Sequence, residues 1–146
     1  MTDAHTELVA AACAARQRSY SPYSHFRVGA ALRCADGHIV TGTNVENASF
    51  GLSICAERGA IARAVAEGRR EFVAIAICAD GVRPTPPCGA CRQVLLELAP
   101  DLEVLLAGEA GADGDLVATT IGELLPAAFR DFPGSQRAGT DGKETA

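Results

Sequence analysis

The chain has 146 residues, 48% hydrophobic and 21% charged, which is enough for one compact domain with a buried core. A formal net charge of −5, with no basic cluster larger than Arg69-Arg70, argues against nucleic acid as the main partner. No apolar run approaches the ~20 residues of a membrane helix, and Asp3 and Glu7 without a basic start argue against a secretory signal, so a cytoplasmic protein is expected.

Residues from Asp3 to Ser19 are predicted helical, because Leu8, Val9, Ala12 and Cys13 cluster at helical spacing. Pro22 and its flanking serines end that helix. Two strands follow, Arg27 to Cys34 and His38 to Asn44. The Ala35-Asp36-Gly37 link reads as a hairpin, since Asp-Gly accepts the positive φ of a tight turn. An alanine-rich helix is predicted from Cys55 to Glu67, with Gly68 placed for a left-handed cap. Phe72 to Ala79 is a continuous apolar run that suits a strand covered on both faces. A loop with three prolines, Asp80 to Pro87, leads to a helix from Cys88 to Leu98, stopped before Pro100. Glu103 to Ala107 reads as a second buried strand and Leu116 to Thr119 as a short one. Thr120 and Glu123 have capping-box spacing ahead of Leu124 and Leu125. From Gly134 the residues are small and polar, so a disordered tail over 134–146 is expected after a single domain over 1–133. The order predicts an α/β fold: a mixed sheet of about five strands with helices on both faces, a three-layer αβα sandwich.

The chemistry concentrates in two blocks, Cys55-Ala56-Glu57-Arg58 and Pro87-Cys88-Gly89-Ala90-Cys91. Both fall at predicted helix N-termini, whose partial positive charge favours thiolate over thiol. Three thiolates can hold a Zn²⁺ and leave its fourth position open for water, and a carboxylate beside one ligand can move protons there. Cys55, Cys88 and Cys91 are therefore the candidate ligands of one zinc per chain, and Glu57 the candidate proton carrier. Three thiolates overcompensate the metal's charge. Arg58 and Arg92, each close behind the cysteines, are expected to donate hydrogen bonds to sulfur and restore the water's acidity.

The spacing imposes a geometric condition. Residues two apart on a regular helix point to nearly opposite sides, so Cys55 and Glu57 face one metal only if Cys55 lies at the helix boundary, before regular winding begins. Two other readings of Cys-x-x-Cys stay open at this point: a redox pair, and half of a structural zinc site. The structural site wants a fourth ligand, and none of His5, His25 and His38 stands beside either block. Cys13, Cys34 and Cys78 lie within apolar patterns and are assigned to the core.

Ser21-Pro22-Tyr23-Ser24 with Phe26, Val28-Gly29-Ala30-Ala31-Leu32, and Gly42 with Asn44-Val45-Glu46-Asn47-Ala48-Ser49 precede the first cysteine block. The second block continues into Arg92-Gln93-Val94, and Leu124-Leu125-Pro126 with Phe129 follows. In this order, over nearly all of Tyr20 to Phe132, the chain resembles the small homotetrameric zinc-dependent cytidine deaminases of pyrimidine salvage. The resemblance implies hydrolytic deamination of cytidine or deoxycytidine with zinc bound by Cys55, Cys88 and Cys91. It implies that Glu57 passes a proton from water to N3 of the pyrimidine. Asn44 and Glu46 would hold the ribose hydroxyls, Phe26 would pack against the base, and the Ala56 backbone would hydrogen-bond the pyrimidine edge. Phe129 would reach into a neighbouring subunit's site within a homotetramer. The residues alone support part of this, since Asn44 and Glu46 alternate on a predicted strand and can face one pocket. Without the family, the same residues read equally well as a solvated strand end, and Phe26 as a core aromatic. Two alternatives accompany this reading: a deaminase of another aminopyrimidine nucleoside, such as a nucleoside antibiotic, and a non-catalytic zinc-stabilised binding module. Asn44 and Glu46 weigh against the first and Glu57 against the second.

Overall fold

A computed structural model describes residues 1–135 of the chain. Helix α1 (Asp3–Arg16) starts on a capping box in which the Thr2 hydroxyl accepts from His5 N–H and the His5 ring accepts from Thr2 N–H. It ends three residues before Ser19, because Gln17, Arg18 and Ser19 each donate three residues back and tighten the last turn. Strands β1 (Val28–Cys34) and β2 (Ile39–Thr43) form the expected hairpin, with Gly37 at φ 89° in its turn. Helix α2 (Ala56–Ala66) ends at Gly68, φ 84°. Strand β3 (Phe72–Ala79) lies antiparallel to β1 and parallel to β4 (Glu103–Ala107), with α3 (Gly89–Leu98) as the crossover. Strand β5 (Leu116–Thr120) pairs antiparallel with β4, and the short α4 (Ile121–Leu124) opens on the Thr120–Glu123 capping box. The sheet order is β2-β1-β3-β4-β5. Two one-turn 3₁₀ segments, Phe50–Leu52 and Gly111–Asp113, are too short for sequence periodicity to reveal.

Alternation along the strands separates two cores. Leu32, Ile75, Ile77, Val104 and Leu106 pack with Ala60, Ile61 and Leu95 of α2 and α3. Ala31, Ala74, Ala76 and Leu105 pack with Leu8, Val9 and Ala12 of α1. Helix α1 therefore covers one face, and α2 and α3 with Ile121 of the short α4 cover the other, the three-layer arrangement expected. Cys34 and Cys78 are buried as expected. Cys13 is only half-buried, and the structure joins it to Cys78 in a disulfide, where the apolar pattern indicated packing alone. The cause is that α1 crosses β3 with these two Cα atoms 5.2 Å apart. Among the described residues no helix is long and apolar enough to cross a membrane. Beyond Ser135 the expected tail lies outside the described residues.

Candidate active site

The N-termini of α2 and α3 meet at the carboxyl end of β3. Cys55 and Cys88 are the N-cap residues of these helices, with extended backbone at φ −71°, ψ 155° and φ −66°, ψ 166°. Helical winding begins one residue later, at Ala56 and Gly89. The condition set by the Cys55–Glu57 spacing is met, because Cys55 stands outside the regular helix.

The sulfurs of Cys55 and Cys88 are 3.7 Å apart, and the three thiol sulfurs of Cys55, Cys88 and Cys91 all lie within 4.8 Å of one another. Zinc–sulfur bonds of ~2.3 Å in a tetrahedron place sulfurs about 3.8 Å apart. The trio therefore fits three corners of a zinc site. Among the described residues no histidine or carboxylate completes the group, so it fits an open site better than a closed structural one. Burial is graded across it: Cys91 is buried, Cys55 half-buried and Cys88 exposed.

Glu57, in the first turn of α2, is 5% exposed, and Cys91 Sγ donates to its Oε2 at 3.7 Å. Burial, reinforced by the Cys55 sulfur, pushes its pKa above the ordinary carboxyl value. A carboxyl that holds its proton more readily is suited to carrying one. The Cys91 thiol beside it, joined by Arg58, pulls the Cys55 thiol down to about 5. The neighbouring Cys55 sulfur, with burial, pushes the Cys91 thiol up. Arg58 Nη2 donates to Cys55 Sγ at 3.6 Å, as expected, and this contact raises the guanidinium's own pKa.

Arg92 departs from expectation. Its Nε donates to the Pro87 carbonyl at 2.8 Å and its Nη1 to the Leu124 carbonyl at 2.7 Å. It lies one residue inside α3 from Cys91, and its side chain runs toward α4, so it ties the second cysteine block to α4 through two carbonyls.

A cavity of about 260 Å³ opens in front of the sulfurs. It is lined by Cys55 and Cys88 and, of the other sequence-predicted residues, by Phe26, Asn44, Glu46, Ala56 and Glu57. Asn44 and Glu46 lie just past the end of β2, flanking Val45, which bridges to Tyr20 on one side and Ile54 on the other. Both side chains are already engaged. Asn44 Oδ1 accepts from Val28 N–H and from the Ser19 hydroxyl, and Nδ2 donates to the Phe26 carbonyl. The Glu46 carboxylate accepts from the N–H groups of Tyr23 and Ser24 and from the Ser24 hydroxyl, which holds its pKa below the ordinary value. Phe129 is not among the cavity's lining residues. It is 67% exposed, and its carbonyl accepts from Gln93 Nε2. Sequence reasoning missed Val28 and Ile77, which read as ordinary strand core, and Ser53, Ile54, Thr85 and Pro86, which signalled only loop.

Residues 2–106 match the cytidine and deoxycytidylate deaminase zinc-binding region. The chain belongs to this deaminase family. A cytidine deaminase from Halalkalibacterium halodurans is 54% identical over 84% of this deaminase-family chain and 91% of its own length. The crystal structure of a cytidine deaminase from Burkholderia pseudomallei, 52% identical, superposes with a TM-score of 0.81 over 88% of this chain and 100% of that one. A blasticidin-S deaminase from Bacillus cereus is 34% identical over 82% of this chain and 88% of its own.

Proposed function

We propose that this chain catalyses hydrolytic deamination of cytidine or deoxycytidine, releasing ammonia and the uracil nucleoside. One observation carries the proposal: buried Glu57 meets the Cys55, Cys88 and Cys91 sulfurs at the end of a cavity that also holds Asn44 and Glu46. Zinc held by the trio supplies a Lewis acid that makes water acidic enough to react near neutral pH. The remaining work falls to the chain. Glu57 takes a proton from the attacking water and delivers it to ring N3, which lets C4 accept the oxygen. A second proton transfer then lets the amine leave as ammonia. Arg58 draws charge from the Cys55 thiolate and keeps the site acidic. Ala56, the first residue of α2, offers one of the helix's orphan N–H groups to the pyrimidine edge. Phe26, Val28 and Ile77 wall the base. Beyond their internal bonds, Asn44 has one N–H left and Glu46 one acceptor site, and these two meet the ribose hydroxyls.

The same reading makes the protein a homotetramer that shares its sites. Tyr20, Tyr23, Phe50, Leu52, Ile54, Phe129 and Phe132 are 47% to 74% exposed in the single chain, which supports their burial between subunits, with Phe129 entering a neighbour's site. We place the activity in the cytoplasm, where a reducing pool keeps the three ligand thiols free for the metal; the Cys13–Cys78 bridge, whose Cys78 side is fully buried, is the departure from that rule.

Cytidine turnover followed by absorbance, beside a metal assay, tests the proposal. The expected result is one zinc per chain, with turnover abolished in Glu57→Gln. Zinc without turnover of cytidine or deoxycytidine would sink it. The Bacillus cereus relative supports a second reading, a deaminase of a nucleoside antibiotic. Measuring kcat/KM for cytidine and blasticidin S side by side decides between them.

A further inference from the structure

We infer that Asp80 is a positioning residue for the base-binding wall: together with Arg27 and the buried Arg16, it fixes the junction from which Phe26 and the Thr85–Pro86 segment both grow. The inference rests on the deaminase reading above. Two walls of the cavity leave the sheet at one place. Strands β1 and β3 make their last pair at Val28 and Ala79. Beyond it, one chain runs back to Phe26 and the other forward to Thr85, Pro86 and Cys88, all of which line the cavity.

The next pair, Arg27 with Asp80, is closed in an unusual way. Asp80 N–H donates to the Arg27 carbonyl at 3.0 Å, as in a regular ladder. The reciprocal bond from Arg27 N–H goes to Asp80 Oδ2, also at 3.0 Å. A side-chain carboxylate thus takes the place of a backbone carbonyl, and β3 is free to turn into the proline loop. The Arg27 guanidinium grips the same carboxylate as a fork, Nε to Oδ2 at 3.0 Å and Nη2 to Oδ1 at 3.1 Å. From the α1 side, Arg16 is 6% exposed and sets its Nε 3.7 Å from Oδ1. Its terminal nitrogens donate to the carbonyls of Ala79 and Glu109, at 3.2 and 3.4 Å, and so tie together the carboxyl ends of the parallel pair.

The Phe26 peptide is also held from its other side. Its N–H donates to Ser24 Oγ at 3.0 Å and its carbonyl accepts from Asn44 Nδ2 at 2.8 Å. Of these restraints, the Asp80 clamp is the one that ties Phe26 to the wall opposite. Asparagine has the shape of aspartate but only one acceptor oxygen, so it loses one arm of the fork. It also leaves Arg16 buried without a counter-charge.

Phe26 touches the base before and during reaction alike, so displacing it weakens both states together and raises KM with little change in kcat. In Asp80→Asn, KM for cytidine is expected to rise about tenfold with kcat within about twofold of wild type. One zinc per chain is kept, and amide exchange over residues 24–28 and 80–87 accelerates. Arg27→Gln leaves the buried Arg16–Asp80 contact in place. It gives the same split at smaller size even where Asp80→Asn fails to fold. A lower melting temperature with unchanged KM in both variants would overturn the inference, because that is what a merely structural clamp produces. So would a fall in kcat with loss of zinc, which places the effect in the metal site. Wild-type turnover tests the deaminase reading separately. Were the wild type inactive on cytidine, exchange alone decides, and unchanged protection over residues 24–28 overturns the inference.

Discussion

The two faces of the sheet share a packing device and differ in chemistry. On one face α1 lies on β1 at Gly29, where a Cβ would collide with the Ala12 carbonyl and the Arg16 backbone. On the other, α2 lies on β2 at Gly42, where a Cβ would collide with the Ala56 carbonyl and the Ala60 N–H. Each helix also carries an arginine to the strand ends beside the cavity. Arg16 comes from the last turn of α1 and gives its donors to two carbonyls, while Arg58 comes from the first turn of α2 and gives a donor to the Cys55 thiol. The difference follows from helix polarity. The C-terminus of α1 is negative and favours a cation. The N-termini of α2 and α3 are positive and favour thiolates. The lesson is that one architecture makes a buried clamp or a metal site according to which helix end it brings to the carboxyl ends of the strands.

The largest effect should separate chemistry from stability on the second face. In Glu57→Gln, kcat is expected to fall about 10³-fold or more, with zinc content and melting temperature close to wild type. Retained turnover would break the contrast, since it would leave the buried carboxyl with no part in the reaction. The glycine pair comes next. Gly29→Ala and Gly42→Ala should each cost about 3 kcal/mol in denaturant unfolding, because backbone must move to admit the methyl group. Only Gly42→Ala should also weaken zinc binding, since α2 carries Cys55. Equal zinc affinity in the two variants would show that the faces are not functionally distinct.

A smaller effect distinguishes the two arginines that follow the cysteines. Arg58→Ala should keep most of the metal and lower kcat about 10- to 100-fold, with a shifted pH–rate profile. Arg92→Ala should leave that profile in place and loosen the segment from Leu124 to Phe129. An unchanged profile in Arg58→Ala would count against charge tuning by that residue.

These two arginines also mark how far the sequence could be read. Element types were legible because strand and helix periods differ, and the strands that read as apolar runs, β3 and β4, are buried on both faces apart from Val73 and Glu103. The cysteine blocks were legible because ligand spacing is local. The need for Cys55 to stand outside the helix could even be stated in advance from the two-residue offset. Long-range partners left no such trace. Nothing around Arg92 signals the Leu124 carbonyl, 32 residues on, and nothing around Cys13 signals Cys78, 65 residues on. Val28 and Ile77 line the cavity with the same side chains that would fill a core, so composition cannot tell the two apart.

The smallest effect concerns the first face and its pH dependence. The hydrogen bond from Arg27 holds Asp80 below the ordinary carboxylate value, with Arg16 adding to it and partial burial opposing it. Glu109 acts on the same cluster through Arg27. A depressed native pKa means that the folded protein binds the Asp80 proton more weakly than the unfolded chain does. The clamp's stability is therefore fully present above the unfolded value of ~3.9 and is lost as pH falls from there through the depressed native value. The stability gap between wild type and Asp80→Asn should then be flat from neutral pH down to about 5 and should close below about pH 4. The Arg27 arm contributes the smaller share of it, because that side chain is 43% exposed and solvent screens it. Urea unfolding of both proteins across this range measures the gap, and a gap that stays constant to pH 3 would mean that packing, and not charge, makes the clamp.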